Sequence, residues 1–206
     1  MLKLVVLDAM GVIYEQGDDV ANLLIPFAKS RGCRLSDAAI EMCYLECSSG
    51  KCSPAEFWQQ LGLSDQDNLE DEFRARYQLT PGVFEFLEHM QQEGYPVACL
   101  SNDVAEWSLK VRRLNGLDRF ISPWMISSEV GVRKPDPKIF QRFVKLADVP
   151  PRECLFVDDR PGNLESARAV GFNVVMFGET SGQIQHRRAA TFQELCKLIH
   201  DFRPRG

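Results

Sequence analysis

Residues 154–163, Cys154-Leu155-Phe156-Val157-Asp158-Asp159-Arg160-Pro161-Gly162-Asn163, run four apolar residues into a pair of carboxylates and then into a helix start. The same design occurs twice more. Leu4-Val5-Val6-Leu7 stops at Asp8, and Tyr95-Pro96-Val97-Ala98-Cys99-Leu100 stops at Ser101-Asn102-Asp103. Short apolar runs without alternation fit strands buried on both faces, as in a parallel sheet. Asn173 to Phe177 is a further run of this kind, and Ile121 to Ile126 is a weaker one. Helical stripes lie between them: Val83, Phe84, Phe86, Leu87 and Met90 within 81–93, Ile139 to Leu146 after Pro135-Asp136-Pro137, Leu164 to Val170, and Phe192 to Ile199. Strand and helix alternate, so the expected class is α/β, a doubly wound, Rossmann-like parallel sheet.

The stretch 16–78 breaks that rhythm. It is poor in strand signals and reads as helices at 18–31, Ser36 to Cys47, Pro54 to Leu61 and Asn68 to Tyr77. Ser53 can cap the third of these, with Pro54 at its first position and Glu56 closing a capping box. The expected organisation is an α/β core at 1–15 and 79–206, with a small all-helical subdomain at 16–78 inserted after the first strand.

The balance of 24 basic against 29 acidic side chains, a formal net charge of -5, offers no footprint for a nucleic acid or an anionic membrane. It leaves room for a small anionic substrate, which needs only a few local cations. The first apolar run is broken at Asp8, too early for a signal peptide, and no stretch approaches the roughly 18 apolar residues of a membrane span. The seven cysteines include no Cys-x-x-Cys pair and read as reduced thiols, which points to a cytoplasmic protein. Cys43, Cys47 and Cys52 are close enough to raise a soft-metal site. No Cys or His partner stands at zinc-site spacing, so packing thiols are the better reading. Trp58, Trp107 and Trp124 read as core residues, and His89, His186 and His200 sit in no motif. The sequence does not set the oligomeric state.

In a doubly wound sheet the carboxyl ends of the strands face one crevice, where ligands bind. Strands ending before Asp8, Ser101 and Asp158-Asp159 would deliver three carboxylates, a hydroxyl and an amide to that edge. Three acids brought together repel one another and call for a cation, and oxygen-only ligands select a hard one such as Mg²⁺. Lys134, just before a helix, could hold both a nucleophilic carboxylate and a phosphate. Gly11 allows the backbone beside Asp8 to turn its amides towards an anion.

These segments, taken in order, resemble the motifs of the haloacid dehalogenase-like hydrolase superfamily: Asp8-Ala9-Met10-Gly11-Val12, Leu100-Ser101-Asn102, Lys134-Pro135-Asp136-Pro137 and Phe156 to Asn163. The helical insert resembles the cap that this superfamily places after its first motif, which closes over the crevice and reads the substrate. The resemblance implies that Asp8 is the nucleophile and forms an aspartyl-phosphate. Ser101, with help from the Asn102 amide, would bind the transferring group, and Lys134 would balance charge. Asp159 and the Met10 carbonyl would be Mg²⁺ ligands beside Asp8, Asp158 would act through water or from behind, and Asn163 would orient the bound waters or the lysine. The implied partner is a small phosphorylated molecule.

One position departs from the pattern. Family phosphatases carry a second Asp two residues after the nucleophile, which protonates the leaving group. Here it is Met10, whose thioether cannot transfer a proton, and losing a general acid costs about 10²–10⁴-fold in rate. The penalty falls on basic leaving groups and spares activated ones. Three functions follow. The first is a Mg²⁺-dependent phosphatase that is slow on unactivated esters. The second is a metal-independent haloacid dehalogenase-type hydrolase, for which the Arg31 to Arg34 region would have to receive halide. The third is a phosphate-binding pseudoenzyme. A phosphonate hydrolase would instead need Lys29 or Lys51 as a Schiff base.

Overall fold

A computed structural model describes residues 1–64, 68–178 and 186–202. Six strands form one sheet: β1 (Leu4–Leu7), β2 (Val97–Ser101), β3 (Ile121–Ile126), β4 (Cys154–Asp158), β5 (Asn173–Phe177) and β6 (Arg187–Ala189). Their order is β3-β2-β1-β4-β5-β6 and every pairing is parallel. The chain therefore winds outward from β1 in one direction through β2 and β3, then crosses back to β4 and winds the other way. The reversal lies between β1 and its neighbours, where an open α/β sheet leaves a crevice at its carboxyl edge.

Successive strand residues point to opposite faces, and both faces are covered. Val5, Leu7, Val97, Cys99, Leu155 and Val157 face α5 (Val83–Gln92) and α10 (Phe192–His200). Leu4, Val6, Ala98, Leu100 and Phe156 face α8 (Pro137–Ala147) and α9 (Pro161–Val170). This two-sided burial is why β1, β2 and β4 carry no polar alternation in sequence.

The helical insertion after β1 contains α1 (Ile25–Ser30), α2 (Asp37–Cys47), α3 (Pro54–Gln60) and α4 (Leu69–Arg74). A wide turn over Val20–Leu24 precedes α1, in which the Ile25 amide reaches back to the Val20 carbonyl; Pro26, lacking an N–H, follows it. The Ser53 capping box forms as expected: Glu56 N–H donates to Ser53 Oγ at 3.2 Å, and Ser53 N–H donates to the Glu56 carboxylate at 2.8 Å. The insertion builds its own core from Leu24, Phe27, Tyr44, Phe57, Trp58 and Phe73, and Trp107 of α6 (Ala105–Leu114) completes it from the α/β side. Trp107 stands 5.2 Å from Phe57 and 5.5 Å from Phe73, so one side chain ties the insertion to the sheet.

The apolar-run reading leaves out α6, the one-turn helix α7 (Ser127–Val130) and β6. The stripe of α6 is Trp107 and Val111, with Leu114 exposed, and β6 is a three-residue edge strand containing two arginines. Among the described residues no helix is long and apolar enough to cross a membrane.

Candidate active site

Asp8 follows the last residue of β1, and its N–H continues the β1–β4 ladder by donating to Val157 O at 2.9 Å. The chain then folds into a tight loop. Tyr14 N–H donates to Ala9 O and Gly11 N–H donates to Tyr14 O, both at 2.8 Å, with Gly11 at φ +77°. On the neighbouring strand Asn102 reaches across to the loop before α8 and clamps it at both ends of one residue. Its Oδ1 accepts from Lys134 N and its Nδ2 donates to Lys134 O, each at 2.8 Å. That clamp fixes the root of the lysine.

The Lys134 ammonium lies 2.7 Å from Asp8 Oδ1 and 2.8 Å from Asp158 Oδ2, with its side chain only 1% exposed. Asp158 is fully engaged: Asn163 Nδ2 donates to its two oxygens at 3.0 and 2.9 Å, and Arg160 N–H donates to Oδ1 at 2.8 Å. Asp159 differs. Its Oδ1 is buried with no partner, as is the Oγ of Ser101. Buried polar atoms in native structures are almost always satisfied, and these two belong to residues gathered round Asp8 and its cavity, where both are open to a ligand.

One carboxylate oxygen from each of Asp8, Asp158 and Asp159 lies within 4.8 Å of the others, the sole such group of three potential ligands among the described residues. Burial pushes the Asp8 carboxyl well above its ordinary range; Lys134 opposes this, while Asp158 and Asp159 add to it. Burial and then Asp158 push Asp159 up to about 6. Burial works to lower the Lys134 pKa, but Asp158 and Asp8 prevail and raise it. Lys134 and Arg160 face three acids, an excess of negative charge that a divalent ion at the cluster would offset. A hard, oxygen-binding cation fits this donor set.

The sequence profile of the haloacid dehalogenase-like hydrolases matches residues 2–171. The chain belongs to that family. It is 30% identical over 135 residues to (S)-2-haloacid dehalogenase 4A of Burkholderia cepacia, covering 59% of this chain and 58% of that protein. It is 37% identical over 100 residues to the glyceraldehyde 3-phosphate phosphatase of Pyrococcus furiosus, covering 47% of this chain and 41% of that protein. The chain thus spans about half the length of these relatives. In fold it is similar to a HAD family enzyme of Bacteroides thetaiotaomicron solved in complex with magnesium and inorganic phosphate. There the TM-score is 0.74 at 19% identity, over 90% of this chain and 98% of that one.

Within this haloacid dehalogenase-like scaffold, Asp8, Met10, Ser101, Asn102, Lys134 and Asn163 line one cavity of about 400 Å³, and Asp158 and Asp159 stand next to Asp8. Gly11 is a correction. Its own N–H is taken by Tyr14 O and it does not line the cavity, so any amide turned to an anion there belongs to a neighbour. Its place matters for another reason: a Cβ there would lie 2.4 Å from Asp159 Oδ2, and one at Gly17 would lie 2.2 Å from the same atom. Arg133 donates to Ser48 Oγ and lies over the Tyr44 ring at 5.6 Å.

The sequence reading missed the far wall. Asp18, Asp19, Val20, Glu41, Tyr44 and Leu45 of the insertion, with Gly17 and Arg160, complete the cavity. The repeated acids in Gly17-Asp18-Asp19 were the available signal. Lys29, Arg31, Arg34 and Lys51 do not line it; Lys29 pairs with Asp37 at 3.3 Å and Arg31 with Glu72. All seven cysteines are free thiols, and Cys43, Cys47 and Cys52 bring no three ligand atoms together.

Proposed function

We propose that the chain is a Mg²⁺-dependent phosphohydrolase that cleaves a small phosphorylated molecule by attack of Asp8 on phosphorus. The observation that carries this reading is the pair of unpartnered buried atoms, Ser101 Oγ and Asp159 Oδ1, at the ends of the two strands that flank β1 and Asp8. Ser101 would donate its hydroxyl to a phosphoryl oxygen, and Lys134 would hold Asp8 and offset the charge gathering on the phosphoryl group. The P–O bond to the leaving group breaks as the bond to Asp8 forms, and water then releases phosphate from the aspartyl-phosphate.

Asp8, Asp159 and the Met10 carbonyl would hold Mg²⁺, with Asp158 and Asn163 behind them. When bound, it would shield the carboxylates from a negatively charged phosphate. The proposed division keeps 1–15 and 79–206 as the α/β core and 16–78 as the cap that covers the crevice. Backbone pairing across both crossings supports it: Glu15 N–H donates to Gln78 O at 3.0 Å and Thr80 N–H donates to Ile13 O at 2.9 Å.

Met10 and the two arginines on the cavity wall, Arg133 and Arg160, favour a second reading. A metal-independent dehalogenase would use Asp8 on carbon and need no leaving-group acid. The paired acids at 158 and 159 weigh against it, because without a metal ion both repel Asp8 and Lys134 alone does not balance three carboxylates.

The test is release of p-nitrophenol from p-nitrophenyl phosphate, with Mg²⁺ and with EDTA, by wild type, Asp8→Asn and Met10→Asp. Turnover that requires both Mg²⁺ and Asp8 is expected. Silence in wild type and Met10→Asp would overturn the phosphohydrolase. Halide release from 2-haloacids in EDTA would then support the dehalogenase, and phosphate binding without any turnover would support a pseudoenzyme.

A further inference from the structure

Met10 offers the cavity no proton donor, yet the helical insertion contributes three carboxyl groups to its lining, Asp18, Asp19 and Glu41. They are not equivalent. Asp18 and Glu41 are exposed, whereas Asp19 is 5% exposed. Just ahead of the first helical turn of the insertion, an acid would ordinarily serve as a cap. Asp18 does that work, with its Oδ1 accepting from Ala21 N–H at 3.1 Å. The Asp19 side chain makes no cap bond. Its Oδ2 accepts from the Tyr77 hydroxyl at 2.9 Å. It is a buried acid on the cavity wall without the structural task that its position would assign.

Its loop is pinned to the catalytic edge of the sheet. Arg160 Nη2 donates to Gly17 O at 2.8 Å, and Asp159 packs so closely on Gly17 that a Cβ there has no room. Two contacts from the end of β4 therefore set where Asp19 stands relative to the Asp8 cluster.

Building on the phosphohydrolase reading, we propose that the Asp19 carboxyl supplies the proton to the leaving oxygen, in place of the side chain missing at position 10. As Asp8 bonds to phosphorus, the P–O bond to the leaving group breaks with its electron pair going to oxygen, and that oxygen takes the Asp19 proton. In the second half, water enters where the alcohol left and gives its proton to the Asp19 carboxylate. Its oxygen bonds to phosphorus, and the bond to Asp8 breaks. Both residues return to their starting states.

The surroundings suit that cycle. The groups facing Asp19 are Tyr77, Arg160, Tyr44 of α2, Asp103 after β2, and Asp18. Burial outweighs the Tyr77 hydroxyl and Arg160, pushing the carboxyl up to about 6, close to where an acid–base catalyst of neutral solution works best.

The test compares kcat/KM for p-nitrophenyl phosphate and phenyl phosphate, two esters of similar shape whose leaving groups differ in basicity, in the presence of Mg²⁺. Asp19→Asn is expected to lower the phenyl phosphate value by about 10²-fold and to change the p-nitrophenyl phosphate value little. The same variant should lose the alkaline limb of the phenyl phosphate pH profile. Tyr77→Phe, which removes a bond that favours the carboxylate, should move that limb to higher pH. Equal losses on both esters, or no selective loss on phenyl phosphate, would overturn the assignment while Asp8-dependent turnover kept the phosphohydrolase intact. Failure of wild type on p-nitrophenyl phosphate would remove both.

Discussion

Lys134 Nζ lies 2.7 Å from Asp8 Oδ1 inside a site where the lysine side chain is 1% exposed. Removing one member of such a pair leaves its partner charged and buried, at a cost of about 3–5 kcal/mol. Lys134→Ala also leaves Asp158 without its cation. We expect a loss of that size in urea denaturation at pH 7 in EDTA, recovered in part on adding Mg²⁺. A loss well under 1 kcal/mol, on the order of an exposed pair, would show that the ion pair is not desolvated.

Ser101 predicts the reverse separation of stability from activity. Its Oγ is buried with no partner, and such a group costs about 1–3 kcal/mol. Ser101→Ala should leave the thermal midpoint unchanged or raise it. The hydroxyl's proposed role as a donor to the phosphoryl group should cost about 10²-fold in kcat/KM for p-nitrophenyl phosphate. A destabilised but fully active variant would contradict both halves.

The acidic cluster of Asp8, Asp158 and Asp159 depends on residues without side chains. Gly17→Ala places a Cβ 2.2 Å from Asp159 Oδ2, so the carboxylate must move. Displacing a ligand's support typically weakens metal binding about 10–100-fold. Calorimetric titration with Mg²⁺ should show that weakening, and Gly162→Ala, whose Cβ would meet no atom within 4 Å, should not. Equal affinities would remove Asp159 from the ligand set.

Asp103 makes the fold sensitive to pH. Burial and then Asp19 push its carboxyl up to about 7, against the Val104 amide, Arg74 and Arg133. An unfolded Asp titrates near 3.9, so between about pH 4 and 7 the folded state holds a proton that the unfolded state has released. Its stabilising share is complete below about pH 4 and is lost as pH rises through 7, an effect on the order of a few kcal/mol. Denaturation midpoints of wild type should fall more steeply over that window than those of Asp103→Asn. Parallel slopes would place an ionised carboxylate in the folded protein.

Much of this was legible in order along the chain. The runs ending at Asp8, Ser101 and Asp158 announce themselves because strands covered on both faces need unbroken apolar sequence, and the Ser53–Glu56 cap because its bonds are local. The edge strand Arg187–Ala189 was not legible, since a sheet edge needs no such run. Asn102 illustrates the limit at the site. Its place beside Ser101 suggests an amide offered to a substrate, but only the tertiary structure shows its side chain clamping Lys134, 32 residues away.

The sequence by itself determined the sheet class, the helical insertion and the identity of the groups delivered to the carboxyl edge, because strand ends converge whatever their loops do. Only tertiary structure decided which groups are paired and which are left over. Asp158 is saturated by Lys134, Asn163 and Arg160, while Asp159 and Ser101 keep an atom free of partners. It also decided that Asp19, rather than its exposed neighbour Asp18, is the buried acid lining the same cavity as Asp8. Burial and pairing depend on contacts between residues far apart in the chain, and no local pattern of residues encodes them.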